Sequence, residues 1–399
     1  MMDDVIVIGA GAAGLFCAMT AARRGRRVSV LEAGPKPGAK ILISGGGRCN
    51  FTNLGTTAAN FFSDNPHFAK SALAGFTPRD FLALVEGAGI AWHEKTLGQL
   101  FCDGSARQIV DLLVGASTEA GARIETGCAI GEITRTEEGF VLHTDRGTRR
   151  AARLVVATGG PSIPKLGASD FAWRLARKFG LRVVPAHPAL VPLTITDAAI
   201  GAAFGAGSAA ELAGVSFETI AGCGRARFRE AALITHRGLS GPAILQVSTP
   251  WRPGAAITLD LLPGQDAQAM LREAKRRRPR ASLGGVLGEH LPQRLAASLA
   301  TLLPQATGRG MADLPDRALD GLAAHLGACP VQPSGSEGFA RAEVSAGGVA
   351  TSALSSKTME ARDIPGLFVI GEAVDVTGWL GGYNFQWAWS SGYCAGNNV

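Results

Sequence analysis

The stretch Val5-Ile-Val-Ile-Gly-Ala-Gly-Ala-Ala-Gly14 decides the fold of this chain. Its four leading apolar residues predict a short strand buried in a parallel sheet. The glycines that follow have the spacing G-x-G-x-x-G: Gly9 permits a tight turn, Gly11 lets the backbone approach a pyrophosphate, and Gly14 lets a helix pack closely on the strand. The stretch therefore predicts a strand, a phosphate-binding turn and a helix.

The residues that follow complete a βαβ unit. Helical apolar spacing runs from residue 14 to residue 24 and ends at Gly25, and Val28–Glu32 reads as the second strand. Glu32 lies eighteen residues after Gly14, where a carboxylate accepts hydrogen bonds from ribose hydroxyls and disfavours a 2′-phosphate. We expect Ala13 and Ala33, beside these positions, to contact the cofactor as well.

A later segment returns to the same sheet. Residues 129–153 read as a short β-meander, and Leu154–Gly160 reads as a separate buried strand that ends in glycines. Because the carboxyl ends of parallel strands meet at one edge of a sheet, we expect further cofactor contacts there. The predicted contacts are Ala129, Thr158, Gly159 and Gly160.

Changes in pattern along the chain predict four segments. Residues 1–190 form the first part of a cofactor domain, 191–262 a β-rich insert on the substrate side, 263–340 a mainly helical insert, and 341–399 the second part of the cofactor domain. The predicted fold class is α/β, with a discontinuous Rossmann-like domain.

Composition narrows the class of protein. The 399 residues are 46% hydrophobic and 18% charged, and no run of eighteen apolar residues is uninterrupted, which predicts a protein without a membrane span. The seven cysteines form no C-x-x-C pair, which predicts a cytoplasmic protein with free thiols and no metal site. A net charge of +6 fits either an anionic partner or ordinary solubility.

Three further motifs resemble one family. They are Lys40–Asn50 (KILISGGGRCN), Thr235–Pro242 (THRGLSGP) and Gly381–Gly392 (GGYNFQWAWSSG), and together they are similar to the YhiN/BaiN-like, or aminoacetone-oxidase-like, bacterial flavoproteins. The resemblance implies FAD, a discontinuous two-dinucleotide-binding-type domain, and an insert with a β-barrel-like part and a helical part. It also implies reduction of activated C=C bonds, including those of bile-acid intermediates or a ribosomal-RNA uridine, or else amine oxidation.

These motifs extend the predicted FAD site. Successive backbone amides around a glycine-rich loop can form a nest for anionic oxygens, although a flexible turn would show the same glycines. The segment Gly366–Glu372 resembles a C-terminal flavin motif, and a helix is predicted after Asn384, whose N-terminal end would face the flavin N1–C2=O edge; an ordinary N-cap by Asn384 is the alternative. The predicted contacts are Lys40, Ser44, Gly46, Gly47, Arg48, Asn50, Gly371, Glu372, Asp375, Gly382, Tyr383 and Asn384.

Candidates for proton transfer and for RNA binding are fewer. His236 is the leading proton donor, with a structural histidine as the alternative, and Cys49 and Tyr383 come after it. The basic run 275–280 (KRRRPR) either contacts RNA phosphates or is a solvated helix end.

Three functional hypotheses follow. The first is an FAD-dependent reductase of an activated C=C bond, most simply in a small molecule; the second is an oxidase of an amine or aminoketone; the third is a non-catalytic flavin-containing module that binds RNA or a nucleotide. Because no second G-x-G-x-x-G lies in a βαβ setting, NAD(P)H is expected only as a transient electron donor, and another protein could take that part.

Overall fold

The chain forms two compact units. A computed structural model describes residues 2–399, so Met1, where the first predicted segment begins, lies outside the described residues. The first unit comprises the chain up to His187 together with Val344–Val399, and the second comprises Pro188–Glu343. The predicted discontinuous α/β domain with an insert is therefore confirmed as the fold class.

The elements follow one another in three stretches. Up to residue 189 the strands are β1 (Asp3–Ile8), β2 (Val28–Glu32), β3 (Asn50–Asn53), β4 (Phe61–Phe62), β5 (Trp92–Glu94), β6 (Gln99–Cys102), β7 (Arg123–Thr126), β8 (Ile130–Thr136), β9 (Gly139–Thr144), β10 (Gly147–Val156) and β11 (Val183–Ala189), and the helices are α1 (Ala12–Arg23), α2 (Ala39–Ile43), α3 (Lys70–Gly75), α4 (Pro78–Gly87), α5 (Arg107–Glu119) and α6 (Phe171–Lys178). The second unit contains β12 (Leu193–Thr194), β13 (Ser216–Cys223), β14 (Ala226–Thr235), β15 (Gly238–Ser240), β16 (Ile257–Asp260), β17 (Cys329–Val331) and β18 (Gly335–Ser336), with α7 (Asp197–Phe204), α8 (Pro242–Ser248), α9 (Ala267–Arg277), α10 (Leu283–Leu287), α11 (Gln293–Ala300) and α12 (Asp316–Gly327). The chain then returns through β19 (Val344–Val349), β20 (Leu367–Val369), β21 (Thr377–Gly378) and α13 (Tyr383–Gly396).

The main sheet of the first unit explains the continuous apolar runs. Its strand order is β7-β2-β1-β10-β9-β8, and β20 also pairs with β10. The strands β7, β2, β1, β10 and β20 are parallel to their neighbours in that series. Val5, Ile6 and Val7 of β1 are fully buried, because strands at the centre of a parallel sheet are covered on both faces.

Strand β10 differs from the prediction of two separate strands. One ten-residue strand runs from Gly147 to Val156. Its first half pairs with β9 in an antiparallel hairpin, and its second half pairs with β20 in parallel, while β1 lies along the other edge. No turn-forming residue interrupts the segment at Ala151–Leu154, so the meander runs directly into the parallel sheet.

Helix α13 packs closely on helix α1. A Cβ atom at Gly392 would lie 2.6 Å from the Ala13 carbonyl oxygen, and one at Gly396 would lie 2.6 Å from Cβ of Thr20. Small residues let two helix backbones approach each other, so these two glycines hold α13 against α1. Helix α1, which follows the glycine-rich turn, is therefore packed against a helix that lies about 360 residues further along the chain.

The second unit is built on an antiparallel sheet. Its seven strands have the order β17-β16-β13-β14-β15-β12-β18, and no pairing between the outer strands β17 and β18 occurs in the described chain. The predicted barrel-like part is thus an antiparallel sheet with two edges. In the hairpin β13–β14, Phe217, Thr219 and Ala221 point into the core and alternate with more exposed residues, as a sheet with one buried face requires.

Candidate dinucleotide-binding site

The turn between β1 and α1 has the geometry that the glycines predict. Gly9 has φ +101°, and a Cβ there would lie 2.7 Å from the Ala157 carbonyl oxygen. A Cβ at Gly14 would lie 1.9 Å from the Gly9 carbonyl oxygen, so only glycine lets α1 pack this closely. Gly11, the N-cap of α1, instead faces open space, since a Cβ there would have no heavy atom within 4 Å. A phosphate group can approach the amino-terminal end of α1 at that point.

The carboxylate of Glu32 closes this turn. One oxygen, Oε2, accepts a hydrogen bond from the Ala10 amide at 2.8 Å, and Oε1 accepts one from the Gly34 amide at 2.7 Å. Two backbone bonds fix the orientation of the carboxylate and leave further lone pairs for ribose hydroxyls. The Cys128 amide donates to the Glu32 carbonyl at 2.9 Å, so the predicted contact Ala129 follows a residue bonded to the end of β2, and the predicted contact Ala33 is exposed.

The end of β10 carries a polar atom without a partner. The hydroxyl oxygen of Thr158 is buried and has no hydrogen-bond partner among residues 2–399. Buried hydroxyls are nearly always paired, so this atom fits a bound polar group. Gly159 has φ +69° and faces open space, whereas Gly160 is packed against Ser345 and Trp173.

A network of polar side chains links three loops near this edge. The Lys40 ammonium donates to Glu372 Oε2 at 2.7 Å and to Ser162 Oγ at 2.6 Å. Glu372 Oε1 accepts hydrogen bonds from Ser162 Oγ at 2.9 Å and from the Ser345 amide at 2.8 Å. Both carboxylate oxygens of Glu372 and the Lys40 ammonium therefore have partners within the chain. These contacts connect α2, the loop after β10 and the loop after β20.

The loop at Gly371 connects this network to the two packed helices. A Cβ at Gly371 would lie 2.9 Å from the Ala13 side chain, so this loop touches the start of α1. The Gly371 amide donates to Ser391 Oγ, and its carbonyl accepts from Trp387 Nε1 at 3.0 Å. Asp375 is almost fully buried, and its Oδ2 accepts a weak bond from the Asp64 amide at 3.4 Å.

The glycine-rich loop at Ser44–Gly47 presents backbone to open space. Gly46 and Gly47 have φ of +66° and +85°, and a Cβ at either would have no heavy atom within 4 Å. The Ser44 hydroxyl donates to the Ile41 carbonyl, which holds the start of the loop. The exposed Arg48 has no ion pair or hydrogen bond through its side chain within the described chain. A free guanidinium beside outward-facing glycines suits an anionic ligand.

The start of α13 lies against β3, the strand that follows the glycine-rich loop. A Cβ at Gly382 would lie 2.4 Å from the Thr52 carbonyl oxygen and 2.8 Å from Asn50 Oδ1. The amides of Asn50 and Gln99 lie 3.2 Å apart on β3 and β6. The amino-terminal end of α13 is thereby fixed next to the strand that follows the glycine-rich loop.

Helix α13 begins earlier than predicted. Tyr383 and Asn384 belong to its first turn instead of preceding it, and Gly382 is the N-cap. The Asn384 side chain does not cap the helix: it accepts from the Gly378 amide at 2.8 Å and donates to the Gly378 carbonyl at 3.0 Å. Gly382 has φ +96°, a conformation that glycine adopts without strain, so the chain enters the helix there.

Two of the predicted proton donors lie in this unit, and both are buried. Cys49 has no exposed surface, and burial raises the pKa of its thiol to about 12 although the Ser44 side chain opposes that shift. Such a thiol stays protonated at neutral pH and has no open path to a substrate. Tyr383 packs edge-on against Phe61 and Trp379, with ring centroids 6.5 and 6.2 Å away.

The third predicted donor, His236, belongs to the second unit. It lies with Arg237 in the two-residue turn between β14 and β15, and it is exposed. Thr235 and Gly238 close the turn, since the Thr235 hydroxyl donates to the Gly238 carbonyl at 3.3 Å. His236 therefore lies at the tip of a β-hairpin.

The predicted basic run 275–280 is largely neutralised. Lys275 pairs with Asp316 at 2.7 Å, Arg276 and Arg277 both pair with Glu273, and Arg278 pairs with Glu289. These contacts lower the pKa of Asp316 and of Glu289, in each case chiefly through the hydrogen bond from the basic side chain. The run therefore ends helix α9 with paired charges.

Sequence reasoning missed several residues that hold the site together. Ser162, Ser345, Gln99, Thr52 and Gln386 all have contacts with predicted site residues or with their motifs. The Thr52 hydroxyl donates to Gln386 Oε1 at 2.6 Å, for example. Only Gln386, within the Gly381–Gly392 motif, had a signal in the sequence; the others are joined to the site across large sequence separations.

The part of the chain that the structure describes holds neither a metal-ligand cluster nor a helix that could span a membrane. Within residues 2–399, no group of three or more His, Cys, Asp and Glu side chains could hold a metal ion. None of the helices described is long and apolar enough to cross a membrane. All seven cysteines are free thiols.

Comparison with known proteins agrees with this geometry. The family model for the HI0933-like protein Rossmann domain matches residues 3–398. The chain belongs to the HI0933-like family. This is the YhiN/BaiN-like flavoprotein family, so the chain is an FAD-binding oxidoreductase of the Rossmann type.

Three relatives cover nearly the whole chain. It is 48% identical to the ribosomal RNA dihydrouridine synthase of Escherichia coli (strain K12), over 99% of this chain and 98% of that protein. It is 44% identical to the protein of the same name from Haemophilus influenzae, over 98% of each chain. It is 30% identical to the 3-dehydro-bile acid delta(4,6)-reductase of Clostridium scindens, over 99% of this chain and 98% of that protein.

Proposed function

We propose that this protein reduces the C5=C6 double bond of a uridine in ribosomal RNA, with FAD as the hydride carrier. The observation that carries the proposal is the 48% and 44% identity, over almost the full length, to two proteins named for that reaction. The 30% identical relative is also named for reduction of carbon–carbon double bonds. The proposed reaction class, saturation of a double bond conjugated to a carbonyl, covers all three names.

We propose that the first unit binds the cofactor through two groups of residues. Gly11 and the start of α1 would receive the pyrophosphate, Glu32 the adenosine ribose, and Thr158 a polar group at the end of β10. The outward-facing Gly46 and Gly47 and the amino-terminal end of α13 would lie beside the flavin ring, where the helix end favours negative charge. When bound and reduced, FAD would supply the hydride.

His236 remains the proposed proton donor for the second carbon of the double bond. Its imidazole is exposed at the β14–β15 turn, and an imidazole can act as a general acid. Replacing His236 with Gln should lower kcat by about a hundredfold or more and leave FAD binding unchanged. A variant with wild-type kcat would remove His236 from the mechanism.

The function is tested with unmodified ribosomal RNA. The purified FAD-bound protein is reduced with dithionite in the absence of oxygen and incubated with ribosomal RNA transcribed in vitro. Nuclease digestion and mass spectrometry should then reveal a uridine that has gained two hydrogens. Protein stripped of FAD serves as the control.

Two other outcomes would point to different functions. Rapid reoxidation of the reduced flavin by a steroid enone, with no product in RNA, would favour a small-molecule reductase. Bleaching of the oxidised flavin by an aminoketone, followed by peroxide formation in air, would favour an oxidase. Either result, together with unchanged RNA, would contradict the proposal.

A further inference from the structure

The second unit carries arginines that differ from the run 275–280 in one respect: they have no acidic partners. Arg225 lies in the turn between β13 and β14, Arg227 and Arg229 lie on β14, and Arg252 follows α8. All four are exposed, and none forms an ion pair with a carboxylate of the described chain. We call these four residues the arginine face.

Register places Arg227 and Arg229 on one side of the sheet, and Arg225 and Arg252 lie near the same hairpin. Arg227 and Arg229 are two positions apart on β14, so their side chains project from the same side of the sheet. The Cys223 thiol, at the end of β13, lies close to both Arg227 and Arg252: partial burial raises its pKa, and these two guanidinium groups oppose that shift. Arg225, Arg227 and Arg252 therefore lie near the β13–β14 turn, and Arg229 lies further along β14.

Two of the four side chains are committed to local backbone contacts, and two are not. Arg227 donates to the carbonyls of Gly224 and Ala226, both at 2.8 Å, and Arg252 donates to those of Thr249 and Trp251. Arg225 and Arg229 make no hydrogen bond through their side chains within residues 2–399. Each guanidinium nevertheless keeps free N–H donors, since five are available on every arginine.

Few carboxylates lie near the arginine face. Glu218 is exposed on β13 opposite Ala231, and Asp260 lies on β16 opposite Ile220, in the same cross-strand row as Arg229. One Asp260 oxygen accepts from the Leu262 amide. Four arginines without an ion pair outnumber these two carboxylates, and exposed arginines on a sheet are suited to phosphate groups spaced along a nucleic-acid strand.

We propose that the arginine face binds the phosphate backbone of the RNA substrate, and that the run 275–280 does not. The inference rests on the proposed function for the identity of the RNA. It assigns affinity to the second unit, through contacts that carry no sequence information themselves.

The test compares two double variants of the FAD-bound protein. In Arg225→Gln/Arg229→Gln, the two side chains without local bonds lose their charge, so the hairpin should fold as before. Arg276→Gln/Arg277→Gln removes the same charge from the paired run and is the matched control. Flavin absorbance and thermal unfolding should be the same in all three proteins.

Affinity for in vitro transcribed ribosomal RNA is measured from 50 to 200 mM salt. Loss of the two face arginines should weaken binding about tenfold at the midpoint and make the log–log salt slope about 1.5 shallower, whereas the control should stay within about twofold of wild type. Turnover on RNA should show a higher KM with kcat unchanged, because phosphate contacts lie away from the reacting base. Arg225→Lys/Arg229→Lys should restore most of the affinity.

A chemical footprint provides an independent readout. Cys223 is partly exposed within the face, and alkylation of this thiol should be slowed by bound RNA in wild type but not in the face variant. Cys394, which is also partly exposed but lies in the first unit, reports nonspecific protection.

The outcomes separate this inference from the proposed function. If wild type forms dihydrouridine and the face variant binds RNA as tightly as wild type, the arginine face belongs to another anionic partner and this inference is overturned. If wild type forms no dihydrouridine but its RNA affinity depends on these arginines, the proposed function fails, whereas the inference that the arginine face binds RNA is supported. Greater loss of affinity in the Arg276/Arg277 variant would also overturn the inference.

Discussion

At the scale of single residues, Thr158 has the most direct bearing on cofactor binding. Its buried hydroxyl has no partner within residues 2–399. A buried hydroxyl without a hydrogen bond costs about 1–3 kcal/mol, so the chain alone gives no reason to keep it. A hydrogen bond between this hydroxyl and a bound ligand would be such a reason.

Replacing Thr158 with Val should therefore move stability and affinity in opposite directions. The FAD-free protein should gain about 1 kcal/mol in its free energy of unfolding, because an unpaired hydroxyl becomes a methyl group. The dissociation constant of FAD should rise about five- to tenfold, the equivalent of one hydrogen bond. Urea unfolding of the apoprotein and titration with FAD measure the two effects.

Thr20 provides the control for this substitution. Its buried hydroxyl donates to the Phe16 carbonyl at 2.8 Å within α1. Thr20→Val should keep the FAD affinity of wild type and should not stabilise the apoprotein. If Thr158→Val leaves the affinity for FAD unchanged, that hydroxyl does not contact the cofactor.

The sequence carries a local signal for some residues of the candidate site and none for others. Glu32 and the glycines at 9, 11 and 14 were accessible because their roles follow from local spacing in one βαβ unit. Ser162 and Ser345 were not, since they reach Glu372 through pairings across long stretches of chain. A serine carries no local signal of such a contact, and only the folded chain brings the partners together.

At the scale of elements, the β1–α1 turn combines two glycines with opposite surroundings. Gly14 is enclosed by the Gly9 carbonyl, and Gly11 faces open space. Packing therefore requires glycine at position 14, whereas no neighbour within the chain requires it at position 11.

Two matched substitutions separate these roles. Gly14→Ala should cost about 3 kcal/mol or more in unfolding free energy, because a methyl group 1.9 Å from a carbonyl oxygen forces α1 away from β1. Gly11→Ala should change stability by only about 1 kcal/mol but weaken FAD binding at least tenfold, because its methyl group enters the space expected for the pyrophosphate. Thermal unfolding and flavin titration of both variants are the measurements.

The opposite pattern would be informative. A Gly11→Ala protein that retains wild-type FAD affinity would mean that the cofactor does not approach this turn. A Gly14→Ala protein of normal stability would mean that α1 can shift without cost.

Element boundaries were predictable where composition changes and not where it is continuous. Val28–Glu32 is the second strand in both the prediction and the structure. The segment through Ala151 has no turn residue and forms one strand, β10, although the change in its apolar pattern predicted two. Likewise, α13 starts at Tyr383 because the chain enters the helix at Gly382, which has a positive φ. The sequence has two consecutive glycines, at 381 and 382, and does not show which of them precedes the helix.

At the scale of the whole molecule, the second unit has the features of an independently folding domain. Pro188–Glu343 contains its own seven-stranded sheet and helices α7–α12. Its ends are joined locally, since the Glu343 amide donates to the Leu190 carbonyl at 3.2 Å. Neighbouring termini are typical of inserted domains.

We expect residues 188–343 to fold when expressed alone. The fragment should unfold in a single cooperative urea transition and should not bind FAD, since the predicted cofactor residues all belong to the first unit. A fragment of equal length from residues 100–255, which divides both units, is the control and should lack a cooperative transition. Noncooperative unfolding of 188–343 would show that this unit depends on the rest of the chain.

The packing of α13 on α1 has a consequence for the order of events during synthesis. The G-x-G-x-x-G turn leaves the ribosome before the helix that covers α1, which is translated about 360 residues later. At bacterial elongation rates this interval is roughly 20–70 seconds. Throughout it, the face of α1 that α13 later covers is exposed in the nascent chain, while the inserted unit has time to fold. Flavin binding at the proposed site would then be among the final steps in the maturation of this protein.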